Sequence, residues 1–113
     1  MSKRDNDLLL EDMLEAAEKI EKYTVGYDFD KFSNEDKTID AVIRNFEIIG
    51  EAANRVDPDF KLESPEIEWR KITGFRNRLI HEYFGVDIEI LWQIIEDDIP
   101  DLIDYLKQIL NKN

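Results

Sequence analysis

Arg76, Asn77, His81 and Tyr83 lie close together in the segment WRKITGFRNRLIHEYFG, residues 69–85. Four of the chain's fifteen basic residues (Arg70, Lys71, Arg76, Arg78) and its only histidine fall between positions 70 and 81. An imidazole is suited to moving protons near neutral pH, and a guanidinium to holding a phosphate. Together they suit cleavage of a phosphodiester by its neighbouring 2′-hydroxyl. That reaction needs proton transfers and charge stabilisation on a dianionic phosphorane, and no metal. One histidine does not readily serve as both base and acid. A two-fold pair of chains would bring two histidines and two arginines to one cleft.

Helix geometry sharpens this reading. At about 100° per residue, with Arg76 at zero, Ile72, Phe75, Leu79, Ile80 and Tyr83 fall on one arc around it. Asn77 and His81 lie about 100° and 140° away, stacked one turn apart on another face. His81 is thus off the apolar stripe, which argues against a core histidine. Arg76 sits within the arc, where its stem can pack while its guanidinium reaches toward Asn77 and His81. Each residue also has a structural alternative: a plain ion pair for Arg76, support of the helix end for Asn77, a core or interface aromatic for Tyr83. Arg70, Lys71 and Arg78 are either RNA-backbone contacts or ordinary surface charges. Trp69 and Trp92 read as core, and Glu82 as solvated.

The elements that must position these groups are helices. Leu9, Met13, Ala16 and Ile20 recur at spacings of three and four, with Leu10, Leu14 and Ala17 beside them; Asp5 or Asn6 is the expected cap and Gly26 the stop. Residues 27–32 read as a connection, and Ser33 as the cap of the next helix. That helix presents Ile39, Val42, Ile43, Phe46, Ile49, Ala53 and Val56 on one face and ends before Asp57-Pro58. Gly50 and Ala52-Ala53 lie inside it, where small residues permit close helix packing. Ser64-Pro65 predicts the start of the third helix, which runs to Gly85. Asp87 opens the last, which carries Leu91, Trp92, Ile95, Ile99, Leu102, Ile103, Leu106 and Leu110 in period. Pro100 is expected to kink or split it. No strand alternation or repeat interrupts this pattern, so the expected fold is an all-α, four-helix up-and-down bundle.

Composition narrows the function classes. The chain has 113 residues, 42% hydrophobic and 11% aromatic, enough for one modest core. With 27 acidic residues against 15 basic ones, a net charge of −12 argues against coating nucleic acid or anionic membrane through bulk charge. The absence of cysteine excludes disulfides and thiolate catalysis, and a single histidine excludes a His-rich metal site within one chain. No targeting segment or membrane span is evident, so a cytoplasmic location is expected.

Arg76-Asn77-Arg78-Leu79-Ile80-His81-Glu82-Tyr83 matches the R-x4-H-x-Y motif of the HEPN superfamily and closely resembles its HepT-like ribonuclease toxins. Ile48-Ile49-Gly50-Glu51-Ala52-Ala53, the Pro65-to-Trp69 entry, Phe84-Gly85-Val86-Asp87, Leu91-Trp92 and Asp98-Ile99-Pro100 resemble that family too, so the likeness spans most of the chain. It implies one HEPN-like helical domain over residues 1–113. It also implies a homodimeric, metal-independent endoribonuclease with no cofactor, acting as the toxin of a type VII-like toxin–antitoxin pair on an RNA such as tRNA or mRNA. Carried over, Arg76 and His81 are the catalytic pair and Asn77 supports them. The implied antitoxin is a minimal nucleotidyltransferase that silences the toxin by attaching AMP to Tyr83, whose phosphates would occupy the guanidinium and repel an RNA backbone. HEPN domains also serve as non-catalytic nucleotide-binding or substrate-presenting partners of nucleotidyltransferases, which is the alternative.

Overall fold

The computed structural model describes residues 3–81 and 87–111. The described residues form helices and connections only: α1 (Lys3–Thr24), α2 (Phe29–Ser33), α3 (Asp36–Arg55), α4 (Pro58–Glu63), α5 (Trp69–His81) and α6 (Ile88–Asn111). Four are long, as the periodicity predicts, and the short α2 and α4 occupy connections. α3 packs between α1 and α5, while α6 lies against α1. The core fills with the periodic residues of α1, α3 and α6, among them Leu10, Met13, Ile20, Val42, Leu91, Ile99 and Leu106, all fully enclosed.

Local chemistry explains the boundaries and corrects several expectations. α1 stops where Gly26 adopts a left-handed φ of +78°, a conformation that favours glycine. Asn6 does not cap α1. It is buried within the helix, and its Oδ1 accepts from Asp57 N–H at 3.2 Å, tying α1 to the α3–α4 junction. Ser33 does not cap α3 either, since its hydroxyl donates backward to the Asp30 carbonyl at 2.9 Å and closes α2. α2 itself is capped by Asp28, whose carboxylate accepts from Lys31 N–H at 2.8 Å, so part of the expected connection is helical.

Ser64-Pro65 does not begin α5. Ser64 ends α4, with its N–H donating to the Lys61 carbonyl at 3.2 Å. Its own carbonyl accepts from the Trp69 indole at 3.0 Å, which pins the first residue of α5. α6 runs unbroken through Pro100, so the helix is not split there. The lost N–H of Pro100 is tolerated because both flanking turns are anchored by buried Ile95, Ile99, Leu102 and Ile103. Asp87 starts α6 as expected, its carboxylate accepting from Glu89 N–H at 2.8 Å.

α5 is the least enclosed of the long helices. Of its apolar residues only Trp69 and Leu79 are buried; Ile72 and Phe75 are half-buried, and Ile80 is 46% exposed. Phe75 meets Phe46 of α3 edge-on, with ring centroids 5.3 Å apart. The expected apolar arc therefore exists, but this chain alone covers only part of it.

Candidate active site

α5 carries no acidic residue, so its basic groups stand together in a chain that is acidic elsewhere. Its register is set at both ends of the contact with α3: Trp69 anchors the start, and Leu79, 1% exposed, seats the last turn in the core. Between them α5 comes so close to α3 that a methyl group built on Gly50 would stand 2.5 Å from Cγ of Arg76 and nearer still to its Cβ. The stem of Arg76 thus passes between the helices. Its Nε is buried, with no hydrogen-bond partner among the described residues. The outer part of the guanidinium emerges beside Asn77, whose Oδ1 lies 3.5 Å from Nη1, a long and weak bond.

Asn77 and His81 are both exposed, one turn apart on α5. Arg70 is also exposed, and at about 100° per residue it falls within about 20° of both. Gly74 lies on the same strip with nothing within 4 Å of a built Cβ. Arg70, Gly74, Asn77 and His81 therefore make an open strip, with the Arg76 guanidinium at one edge and exposed Ile80 between. Tyr83 and Glu82 lie outside the described residues.

Lys71 is directed elsewhere. Its Nζ is 3.0 Å from the Asp98 carboxylate on α6. That hydrogen bond, reinforced by the surrounding acids, holds the ammonium above its ordinary value of 10.5 despite some desolvation. Of the three additional cations, the fold brings Arg70 onto the His81 strip and ties Lys71 to α6; Arg78 is exposed on α5. A hollow between α5 and α6 is floored by Phe46, Ile49, Phe75 and Ile94, and none of Arg76, Asn77 and His81 lines it. Among the described residues, the candidate site is an open edge of α5.

Two features of this edge escaped the reading by spacing: the seat of Arg76 on Gly50, and the engagement of Lys71 by Asp98. Both depend on how two helices cross, which spacing along one helix does not encode. A glycine inside the continuing apolar period of α3 was the local signal for the first.

The geometry can be set beside known proteins. Residues 13–109 match the ribonuclease HepT-like family. The chain belongs to that family. It is similar to "Probable ribonuclease HepT" of Thermococcus cleftensis, with 48% identity over 100 residues, covering 88% of this chain and 91% of that protein. A protein of Methanocaldococcus jannaschii, provisionally named an RNase, is 42% identical over 102 residues, 90% of this chain and 94% of its own length. One from Caldanaerobacter subterraneus, named in the same way, is 37% identical over 103 residues, 91% of this chain and 92% of its own. No solved structure matches the chain. The HepT-like membership agrees with the all-helical fold, and no helix among the described residues is long and apolar enough to cross a membrane.

Proposed function

We propose that this chain is a metal-independent endoribonuclease acting at the α5 edge, and the toxin of a toxin–antitoxin pair. The observation that carries the reading is the set of Arg76, Asn77 and His81 on one open edge of a HepT-like fold. In the reaction, Arg76 holds the scissile phosphate and takes up charge as the phosphorane forms. A histidine removes the proton from the 2′-hydroxyl, whose oxygen attacks phosphorus. The bond to the 5′-oxygen breaks and that oxygen takes a proton. The products are a 2′,3′-cyclic phosphate and a free 5′-hydroxyl. Asn77 orients the guanidinium.

Two proton transfers and one histidine per chain support a homodimer, in which His81 of the partner subunit takes the second role. Exposed Ile80 beside the edge supports the same arrangement. Arg70 adds a phosphate contact along the strip. A minimal nucleotidyltransferase would silence the site by transferring AMP from ATP to the Tyr83 hydroxyl, releasing pyrophosphate and placing phosphate against Arg76.

The test is cleavage of total tRNA by purified protein in EDTA at low salt. Wild type should cut, and His81→Ala should lose at least about 10²-fold in rate, the lower end for general acid–base catalysis. Equal cutting by both proteins would place the activity elsewhere. Failure of both, with Tyr83 shown by mass to be unmodified, would leave mononucleotide binding as the function.

A further inference from the structure

We infer that Gly50 is a positioning residue for Arg76, fixing where the guanidinium stands relative to Asn77 and His81. The inference rests on the reading of Arg76 as the phosphate-holding group.

Glycine is the poorest helix former after proline, so a glycine inside α3 needs a reason. Close packing of helices is the general one, but α3 also shows how packing alone is met. Ala53, fully enclosed, and Ala52 keep their methyl groups in the same helix. At Gly50 even a methyl does not fit, and what excludes it is the Arg76 side chain, through its Cβ and Cγ. The neighbour at this one position is the residue whose guanidinium the reaction needs.

The contact has a consequence for the guanidinium. With the stem laid across the bare α3 backbone, Nε is drawn into the interface and only the outer nitrogens emerge. Asn77 meets Nη1 from the side. The stem is thus seated on Gly50 and the fork emerges beside Asn77, so the seat limits the reach and tilt of the fork. A side chain on residue 50 must either swing the Arg76 stem outward or part α3 from α5. In both cases the fork leaves its place beside Asn77. Displacement of a catalytic group by about 1 Å can cost about 10²-fold in rate, so this seat matters for chemistry more than for fold.

The experiment has two readouts on Gly50→Ala. In an NMR correlation of arginine Nε–H groups, the Arg76 signal is assigned by its loss in Arg76→Lys. It should be protected from solvent exchange in wild type, then shift and lose protection in Gly50→Ala. In tRNA cleavage, Gly50→Ala should lower kcat by about 10- to 100-fold with KM changed far less. Ile20→Val, a core trimming on α1 where Ile20 is fully buried, serves as the control for lost stability and should keep its kcat. An Arg76 Nε–H that exchanges freely in wild type overturns the proposal without any variant, even if Gly50→Ala fails to fold. So does a Gly50→Ala protein with wild-type kcat, or a loss shared equally by Ile20→Val. If wild type cuts no RNA, the ribonuclease reading falls by itself, and the Nε–H signal still decides whether Gly50 seats Arg76.

Discussion

Replacing Arg76 with methionine should stabilise the fold while abolishing cleavage. Methionine keeps Cβ and Cγ on Gly50 and places its terminal methyl where Nε now lies. The buried Nε–H, unpartnered among the described residues, is thereby removed. An unsatisfied buried donor costs about 1–3 kcal/mol. Against that gain stands the Nη1–Asn77 contact, which at 3.5 Å contributes little. Arg76 is only half-buried, so the lower end of the range applies and the net gain is about 1 kcal/mol. For a chain of this size that raises Tm by about 3–6 °C. The assay is thermal unfolding of wild type, Arg76→Met and Arg76→Ala at one protomer concentration, since any dimer makes Tm concentration-dependent. Arg76→Ala, which also discards the packed stem, should fall below Arg76→Met. Cleavage should drop by at least about 10²-fold in both variants. A lower Tm for Arg76→Met than for wild type would refute the reasoning, because it would mean that Nε–H is well satisfied and the arginine stabilises its surroundings.

Gly74→Ala should stabilise the chain by about 1 kcal/mol through helix propensity, since nothing lies within 4 Å of the new methyl. The same variant should cut RNA more slowly, and a stabilised variant with full activity would show that nothing approaches α5 at that point. Asp98→Asn should release Lys71 from its 3.0 Å contact and tighten RNA binding, whereas Asp104→Asn, at an exposed position of the same helix, should do so less. Both partners of the Lys71–Asp98 pair are partly exposed, so Lys71→Met should cost under about 1 kcal/mol at pH 7. Because the Lys71 value is raised on folding, that contribution is complete below 10.5 and is lost as pH rises through the folded value. Unfolding curves of Lys71→Met and wild type should therefore converge at strongly alkaline pH. Asn6→Ala leaves the Asp57 N–H without its acceptor and should cost about 1–3 kcal/mol in urea unfolding, with no change in kcat.

The helices were legible in sequence because burial imposes period, and each expected core residue of α3 is enclosed. Their starts were less legible. Ser33 and Ser64 are typical cap residues, but each closes the short helix before it, Ser33 through its hydroxyl and Ser64 through its backbone N–H. A cap and a turn use the same hydroxyl, and only the occupied partner tells them apart. Along α5, angular spacing alone separated Asn77 and His81 from the apolar arc, and it placed Arg76 within that arc. It did not reveal that the arginine stem would meet bare α3 backbone at Gly50, or that Lys71 would turn to Asp98. Those contacts arise from helix crossings, and a pattern within one helix carries no record of its neighbour.

The chain's acidity and its proposed substrate can be reconciled by counting which cations remain for RNA. Acids elsewhere are screened beyond about 8 Å at physiological salt, so binding depends on α5. There Lys71 is engaged by Asp98, while Arg70 lies on the His81 strip and Arg76 presents its outer nitrogens. Counting those two at the strip, with Arg78 about 60° further round the helix from His81, one chain offers about two phosphate contacts at the site, and a two-fold pair about four. For single-stranded nucleic acid, log K falls with log salt at a slope of about 0.7 per contact. From 50 to 200 mM salt, two contacts predict a loss of about sevenfold in affinity, and four a loss of about fiftyfold. Measuring RNA affinity of His81→Ala across that range thus counts the chains at the site. A loss near sevenfold means that one helix binds RNA alone, and the two-chain reaction falls with it. A loss near fiftyfold matches Arg70 and Arg76 contributed by two copies, twice what those two residues of one chain supply.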